Sequence, residues 1–168
     1  MKKFFSLSVV ALLFLTACGP SKQDVLKLND EMVNRVSECS GAEKTFFEAC
    51  KTYEPTKIQT ELKAFSEACK KAKSEIEAVE VHKDLESLKK AALDLATIYV
   101  KTEPEYKEYA RLYSISNDDY TEEDEKLTKE VAEKINNNIN GAFQAFQITQ
   151  EAFASKYQYT LSKSSNNN

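Results

Sequence analysis

The stretch "DVLKLNDEMVNRVSECSGAEKTFFEACKTYEP", residues 24–55, sets the fold. Its apolar residues recur at steps of three and four positions, which gathers them on one side of an α-helix. The proline near its end stops a helix but suits the first position of the next one. The stretch therefore predicts a long amphipathic helix, a turn at 53–55 and a second helix directly after it. The apolar residues of this stripe are Val25, Leu28, Met32, Val36, Cys39, Phe46, Phe47 and Cys50.

The same apolar spacing continues through the middle of the chain. It predicts a second helix over 55–79, then a tight turn in which Asp84 caps the start of the next helix. A third helix is predicted over 85–113, and Pro104 should kink it. The links between these helices are only a few residues long, which favours antiparallel neighbours.

The fourth helix has the clearest start in the chain. Thr121 is a typical N-cap, and the acidic residues that follow it would face the positive end of the helix dipole. The apolar stripe then runs to residue 157. We expect an all-α fold, an up-down-up-down antiparallel four-helix bundle with long helices over residues 24–160. Residues 161–168 are expected to form a disordered tail.

Composition supports a helical protein and limits its partners. The 168 residues include three glycines, three prolines and no tryptophan, and the formal net charge is −4. Few helix breakers are typical of an all-helical chain. Binding to nucleic acid requires a basic face from which counterions are released, and an acidic chain without such a face argues against it.

The beginning of the chain has the features of an export signal. Lys2 and Lys3 precede a twelve-residue apolar segment, Phe4 to Leu15. A helix that spans a bilayer needs about 18 or more apolar residues, so this segment is too short to span but long enough for a signal peptide. Residues 1–17 are therefore predicted to be a signal peptide that is absent from the mature protein.

The end of that segment resembles a bacterial lipobox. The residues Leu15-Thr16-Ala17-Cys18 match the pattern that precedes cleavage of a lipoprotein signal. The resemblance implies cleavage after Ala17, lipidation of the Cys18 thiol and a lipidated tether over 18–23. Two or three acyl chains hold a protein at a membrane far longer than one. The alternative is an ordinary secretory signal with a chance cysteine.

The resemblance also implies a cellular location. A lipid-anchored chain of this kind is expected in the bacterial cell envelope, held to the membrane through Cys18. Gly19 follows the cysteine where an aspartate would suggest retention at the inner membrane, so the outer membrane is favoured.

Three further cysteines lie in the predicted bundle. If helices one and two are antiparallel about residue 54, Cys39 faces Cys69, whereas Cys50 faces Ile58. Export permits disulfides, so we expect a bond between Cys39 and Cys69. The alternative is three buried thiols that act as small apolar residues.

Neither a metal site nor a catalytic site is predicted. His82 is the only histidine, and zinc or iron sites usually need more nitrogen or sulfur ligands. A solvated histidine in the turn is the favoured interpretation. Without a second histidine, no serine or cysteine has a base to activate it as a nucleophile. We therefore expect no cofactor and no enzymatic activity.

An aromatic set recurs at helical spacing in the second half of the chain. The favoured interpretation is a packed core, and the alternative is an exposed patch toward the end formed by the 53–55 and 114–120 turns. That end is acidic and carries Tyr53 and Tyr120. The members of the set are Tyr106, Tyr109, Tyr113, Phe143, Phe146, Phe153 and Tyr157.

Two stretches carry a resemblance that covers roughly the last two-thirds of the chain. They are "DLESLKKAALDLATIYVKTEPEYKEY", residues 84–109, and "TQEAFASKYQYTL", residues 149–161. With them the chain resembles an uncharacterised family of small helical bacterial surface lipoproteins. The resemblance implies a helical bundle at an envelope membrane and supplies no catalytic residues.

Two functions are consistent with these observations. The first is a membrane-anchored, non-enzymatic binding or structural module of the cell envelope with an unknown protein partner. The second is a small-ligand carrier with an aromatic-lined cavity between helices, for which we expect a groove lined by Phe143, Phe146 and Tyr106. A filled core would favour the first.

Overall fold

The computed structural model describes residues 19–161, and all regular structure in that range is helical. The all-α prediction is therefore confirmed. The predicted signal peptide 1–17, the lipidation site Cys18 and residues 162–168 of the predicted tail lie outside the described residues. The elements are α1 (Lys22–Cys50), α2 (Pro55–Ala78), a 3-10 turn (Lys83–Leu85), α3 (Glu86–Lys101), α4 (Glu103–Leu112) and α5 (Glu122–Tyr157).

Side-chain caps define where the two longest helices begin. The Ser21 hydroxyl accepts the Asp24 N–H and the Asp24 carboxylate accepts the Ser21 N–H, a capping box at the start of α1. Thr121 and Asp124 form the same box at α5, as the sequence predicted for Thr121. Each box satisfies backbone donors that would otherwise lack a partner.

The third predicted helix is two helices, which corrects the four-helix count to five. The break falls at Thr102, which ends α3 and precedes α4. Pro104 has no N–H and its ring clashes with the carbonyl four residues earlier, so the helix cannot continue through it unchanged. At the break the Ile98 carbonyl accepts both the backbone N–H and the hydroxyl of the buried Thr102, each at 2.9 Å. Proline thus ends α3 rather than only kinking one long helix.

The turn between α2 and α3 is capped by a different residue from the one predicted. His82 Nδ1 accepts the Asp84 N–H at 3.2 Å, so His82 and not Asp84 is the N-cap. The ring nitrogen thus does what the side-chain oxygen of a usual N-cap residue does, since it accepts the N–H of the second residue after the cap. The two glycines that lie inside helices, Gly41 and Gly141, do not interrupt α1 or α5.

Contacts between side chains fix the direction of α1 and α2. Arg35 pairs with Glu75 at 2.8 Å, and Lys71 reaches Glu38 at 3.5 Å, so later residues of α1 face earlier residues of α2. The two helices are therefore antiparallel. Their apolar faces, together with those of α3 and α4, enclose one core that includes Phe46, Phe65, Leu95 and Tyr106.

Helix α5 runs antiparallel to the helices it packs on. Lys134 pairs with Glu105 of α4 at 2.6 Å, and Gln150 donates to Asn29 of α1 at 2.9 Å. None of the helices within residues 19–161 combines the length and apolar character needed to cross a bilayer.

The elements meet at two ends of the structure. At one end Lys22 Nζ donates to the Gln158 carbonyl at 2.7 Å, and Gly19 lies beside Asp84. We call residues 19–22, 79–84 and 158–161 the proximal end. The α1–α2 turn and the α4–α5 loop meet at the opposite pole, and we call residues 51–57 and 112–123 the distal end.

Candidate binding site at the distal end

A small cavity lies at the distal end, where the α1–α2 turn meets the α4–α5 loop. Its volume is about 180 Å³, and the six residues that line it carry no charge. Three are tyrosines, so its walls are mostly ring surface. The lining residues are Tyr53, Leu112, Tyr113, Ile115, Asn117 and Tyr120.

Contacts between the tyrosines hold the walls in place. The Tyr53 ring stacks on Tyr113 with centroids 5.6 Å apart and planes 24° apart. The Tyr109 hydroxyl donates a hydrogen bond to the Tyr113 hydroxyl at 3.1 Å, which helps to hold the Tyr113 ring in position. The Tyr120 hydroxyl is bonded to Thr128 at 2.9 Å. The site is thus largely formed before anything binds.

Tyr53 has an unusual backbone conformation. Its φ of 55° lies in the left-handed region, which glycine adopts without strain and asparagine more readily than most residues. For a bulky residue this conformation costs of order 1–3 kcal/mol. Tyr53 is 60% exposed, so burial of its ring does not explain the choice of residue. Tyr53 is therefore a candidate binding residue, with one ring face stacked on Tyr113 and much of the side chain exposed.

The distal end is strongly acidic. The distal segments together with Asp124 and Glu125 of the first turn of α5 contain seven acidic and two basic residues. Of these bases Lys51 pairs with Glu48 of α1, and Arg111, which directly precedes the second distal segment, pairs with Glu108 within α4. The cavity mouth therefore lies in a negative field that basic residues of the described chain only partly offset.

A half-buried carboxylate, that of Glu43, lies at the edge of the core and was not predicted from the sequence. The Glu43 carboxylate accepts hydrogen bonds from Tyr99, at 3.2 Å, and from Tyr106. Burial raises the pKa of Glu43 above its ordinary value, and the two phenol hydrogen bonds only partly offset this. Burial likewise raises the pKa of Tyr99 and of Tyr106, so both phenols stay protonated donors. The group holds α1 to α3 and α4.

The sequence did contain a signal for Glu43. It lies on the apolar stripe of α1, four residues after Cys39 and three before Phe46. A carboxylate at such a position needs a polar partner in the core.

Replacing Glu43 by glutamine should flatten the dependence of stability on pH. A carboxyl group whose pKa is raised by folding binds protons more tightly in the folded state. Its stabilising effect is therefore complete below the ordinary pKa of 4.5 and is lost as the pH rises through the raised value. Urea unfolding of wild type and Glu43→Gln between pH 4 and pH 8 checks this, because the difference between the two curves isolates Glu43. The free energy of unfolding of the variant should increase relative to that of wild type as the pH rises. A difference between the two that does not change with pH would contradict the prediction.

Cys39 and Cys69 lie opposite each other but are not joined. Within the described residues Cys39, Cys50 and Cys69 are buried free thiols, which corrects the predicted disulfide. The antiparallel pairing of α1 and α2 brings the two cysteines together, and a side-chain hydrogen bond between them raises the pKa of the Cys69 thiol. Burial raises the pKa of Cys50 to about 12. As buried thiols in a packed core, the three residues behave as small apolar side chains.

Thiol counting tests this arrangement. The native mature protein should resist a thiol reagent at neutral pH, because the thiolate is the reactive form and the three groups are buried. In denaturant without a reductant, all three thiols should react. A single reactive thiol per chain would instead indicate a disulfide between Cys39 and Cys69.

The remaining predicted site residues are dispersed. Tyr106 packs against Phe65 at 4.5 Å and Phe46 at 5.9 Å, on the side of α1 and α2. Phe146 is buried and Phe143 half-buried on α5, and neither lines the distal cavity. His82 caps its turn, and no group of three potential ligands capable of holding a metal occurs within residues 19–161.

Comparison with models of protein families, with curated proteins and with solved structures finds no match to the chain.

Proposed function

We propose that the chain is a lipid-anchored protein of the bacterial cell envelope, and that it binds another protein at its distal end without catalysing a reaction. The observation that carries this proposal is the tyrosine-lined cavity at the pole opposite Gly19, the first described residue after the predicted lipidation site. Helix α1 has 29 residues, which at 1.5 Å per residue places the two ends about 40 Å apart. An anchor at Cys18 would therefore present the cavity away from the membrane.

The finer architecture proposed here is an up-down-up-down arrangement of four helical segments, each of which we call a leg. Helices α3 and α4 would together form the third leg, because both pack against α5 and against α2. The antiparallel ion pairs of α1 with α2 and of α4 with α5 support this arrangement. Four such helical segments would put Gly19 at one pole and both distal segments at the other.

The proposed location rests on the sequence at the chain start. Signal-like residues 1–17, the lipobox at 15–18 and Gly19 favour lipidation of Cys18 and an outer membrane. The acidic charge gives the body little attraction to anionic lipid or to nucleic acid, so the acyl chains would supply the membrane affinity.

A binding module is favoured over a small-ligand carrier. The carrier would require Tyr106, Phe143 and Phe146 to line one groove between helices, whereas Tyr106 is fully buried among Phe46, Phe65 and Tyr99. The distal cavity, of about 180 Å³, is also below the roughly 300–1,000 Å³ typical of small-molecule sites.

Site-specific crosslinking in intact cells tests the proposed function. A photoreactive phenylalanine analogue replaces Tyr53 or Tyr120, and in a matched control it replaces Ile148, which is 66% exposed on the flank of α5. A discrete adduct from the two distal positions, absent from position 148, is expected. Adducts that are the same from all three positions, or that form only from position 148, would refute a distal binding site.

A further inference from the structure

We infer that the distal cavity takes the cationic side chain of an arginine or lysine from a basic segment of the partner protein. This inference rests on the proposed function and names the chemistry that the site recognises. Three independent features of the cavity point to it: its size, its ring surfaces and the charge around its mouth.

The size of the cavity restricts the occupant to a single side chain. A volume of about 180 Å³ lies below the range of about 300–1,000 Å³ in which small-molecule ligands are usually enclosed. Its buried wall is Leu112 and the half-buried Ile115, which suit the methylene stem of a long side chain. The stem of an arginine or lysine would rest there while its charged group stays near the mouth.

The ring surfaces favour a cation at that mouth. Tyr53 uses one face to stack on Tyr113, and it remains 60% exposed, while Tyr120 is 38% exposed. The face of a tyrosine ring carries partial negative charge and attracts ammonium and guanidinium groups. A carboxylate would be repelled by the same faces.

The acidic residues next to the lining residues add charge complementarity. Asp118 follows Asn117 of the lining, and Glu54 follows Tyr53. Asp119 accepts a hydrogen bond from Ser116 at 2.6 Å, whereas Asp118 and Glu54 take part in none of the ion pairs described for residues 19–161. These carboxylates would attract a basic segment from a distance and disfavour an acidic one.

The strained turn provides a variant that separates binding from folding. Glycine adopts a φ of 55° without the penalty that tyrosine incurs, so Tyr53→Gly should unfold at the same or a higher urea concentration than wild type. Loss of a cation–ring contact at an exposed site should nevertheless weaken binding about two- to fivefold.

Peptide titration tests the inference directly. The mature lipidated chain in neutral detergent micelles, with ¹³C-labelled tyrosine rings, is titrated with acetyl-Gly-Arg-Gly-amide and with its lysine, leucine and glutamate counterparts. The ring signals of Tyr53 and Tyr120 are assigned as those that disappear in Tyr53→Phe and Tyr120→Phe. The arginine and lysine peptides should shift these two sets of signals, and added salt should weaken peptide binding. Asp118→Asn with Glu54→Gln should reduce the affinity further, whereas Glu133→Gln on the side of α5 should not.

Several outcomes would overturn the inference or the proposed function. Equal shifts with the leucine or glutamate peptide would show that charge is not recognised, and no shift with any peptide would show that the cavity takes no such side chain. Binding of tetramethylammonium without binding of the arginine peptide would identify a small cation instead. A discrete crosslink from the distal positions together with a silent arginine peptide refutes the cationic occupant and leaves the proposed binding function intact. A responsive peptide without any distal crosslink would show that the cavity takes a cationic side chain, but it would refute the proposed binding function and with it the partner protein named in the inference.

Discussion

Replacing Phe65 by alanine lowers the free energy of unfolding by about 3–5 kcal/mol, the range expected when a buried phenylalanine is truncated in a packed core. The Phe65 side chain is 1% exposed and its ring contacts Phe46, Tyr99 and Tyr106, with centroids 6.2, 6.1 and 4.5 Å away. These residues come from α1, α3 and α4, so the ring fills the place where α2 meets all three. Domains are stable by only about 5–15 kcal/mol, so the loss is a large share of the total.

Urea unfolding of the mature chain measures this effect. Phe143→Ala on α5 is the matched control, because the same side chain is only half-buried there and its removal should cost distinctly less. Equal losses for the two variants would mean that Phe65 does not occupy the centre of the core.

Replacing Cys18 by serine should abolish lipid attachment. Serine has no sulfur with which to form a thioether, and its hydroxyl is a much weaker nucleophile than a thiolate. Each buried methylene contributes about 0.8 kcal/mol to membrane affinity, so the loss of the proposed acyl chains should remove essentially all the lipid-dependent binding. Labelling with radioactive palmitate, together with the intact mass of the purified chain, measures the result.

The control for this experiment is a second cysteine variant. Cys50→Ala removes a buried thiol from α1 and should keep the full lipid label, since Cys50 is enclosed in the core. Label that persists in Cys18→Ser would refute the anchor. A mature chain that begins after residue 18 and carries no lipid mass would refute it as well.

Local signals in the sequence were sufficient for much of the fold. Ser, Thr and Pro at helix starts act within one turn of the chain, which is why Pro55 and Thr121 predicted the starts of α2 and α5. The short turn at 53–55 also fixes which residues of α1 and α2 are opposite, so the apposition of Cys39 and Cys69 followed from arithmetic on their positions.

Features that depend on the rotation of whole helices were not predictable in this way. Glu43 meets Tyr99 and Tyr106 across 56 and 63 residues of chain, and no neighbouring residue reveals that partnership. The stack of Tyr53 on Tyr113 depends equally on how α4 leaves the break at Thr102. The break itself was predicted only as a kink, because a proline near a helix start and a proline inside a helix give the same local pattern.

The contact between Lys22 and Gln158 has a practical consequence for microscopy. The end of α5 lies beside the start of α1. A fluorescent reporter fused after residue 161 would therefore emerge on the same side as the predicted acyl chains. Such a fusion would leave the tyrosine pole unobstructed for an added antibody fragment. A reporter inserted between Ser116 and Asn117 would instead cover that pole.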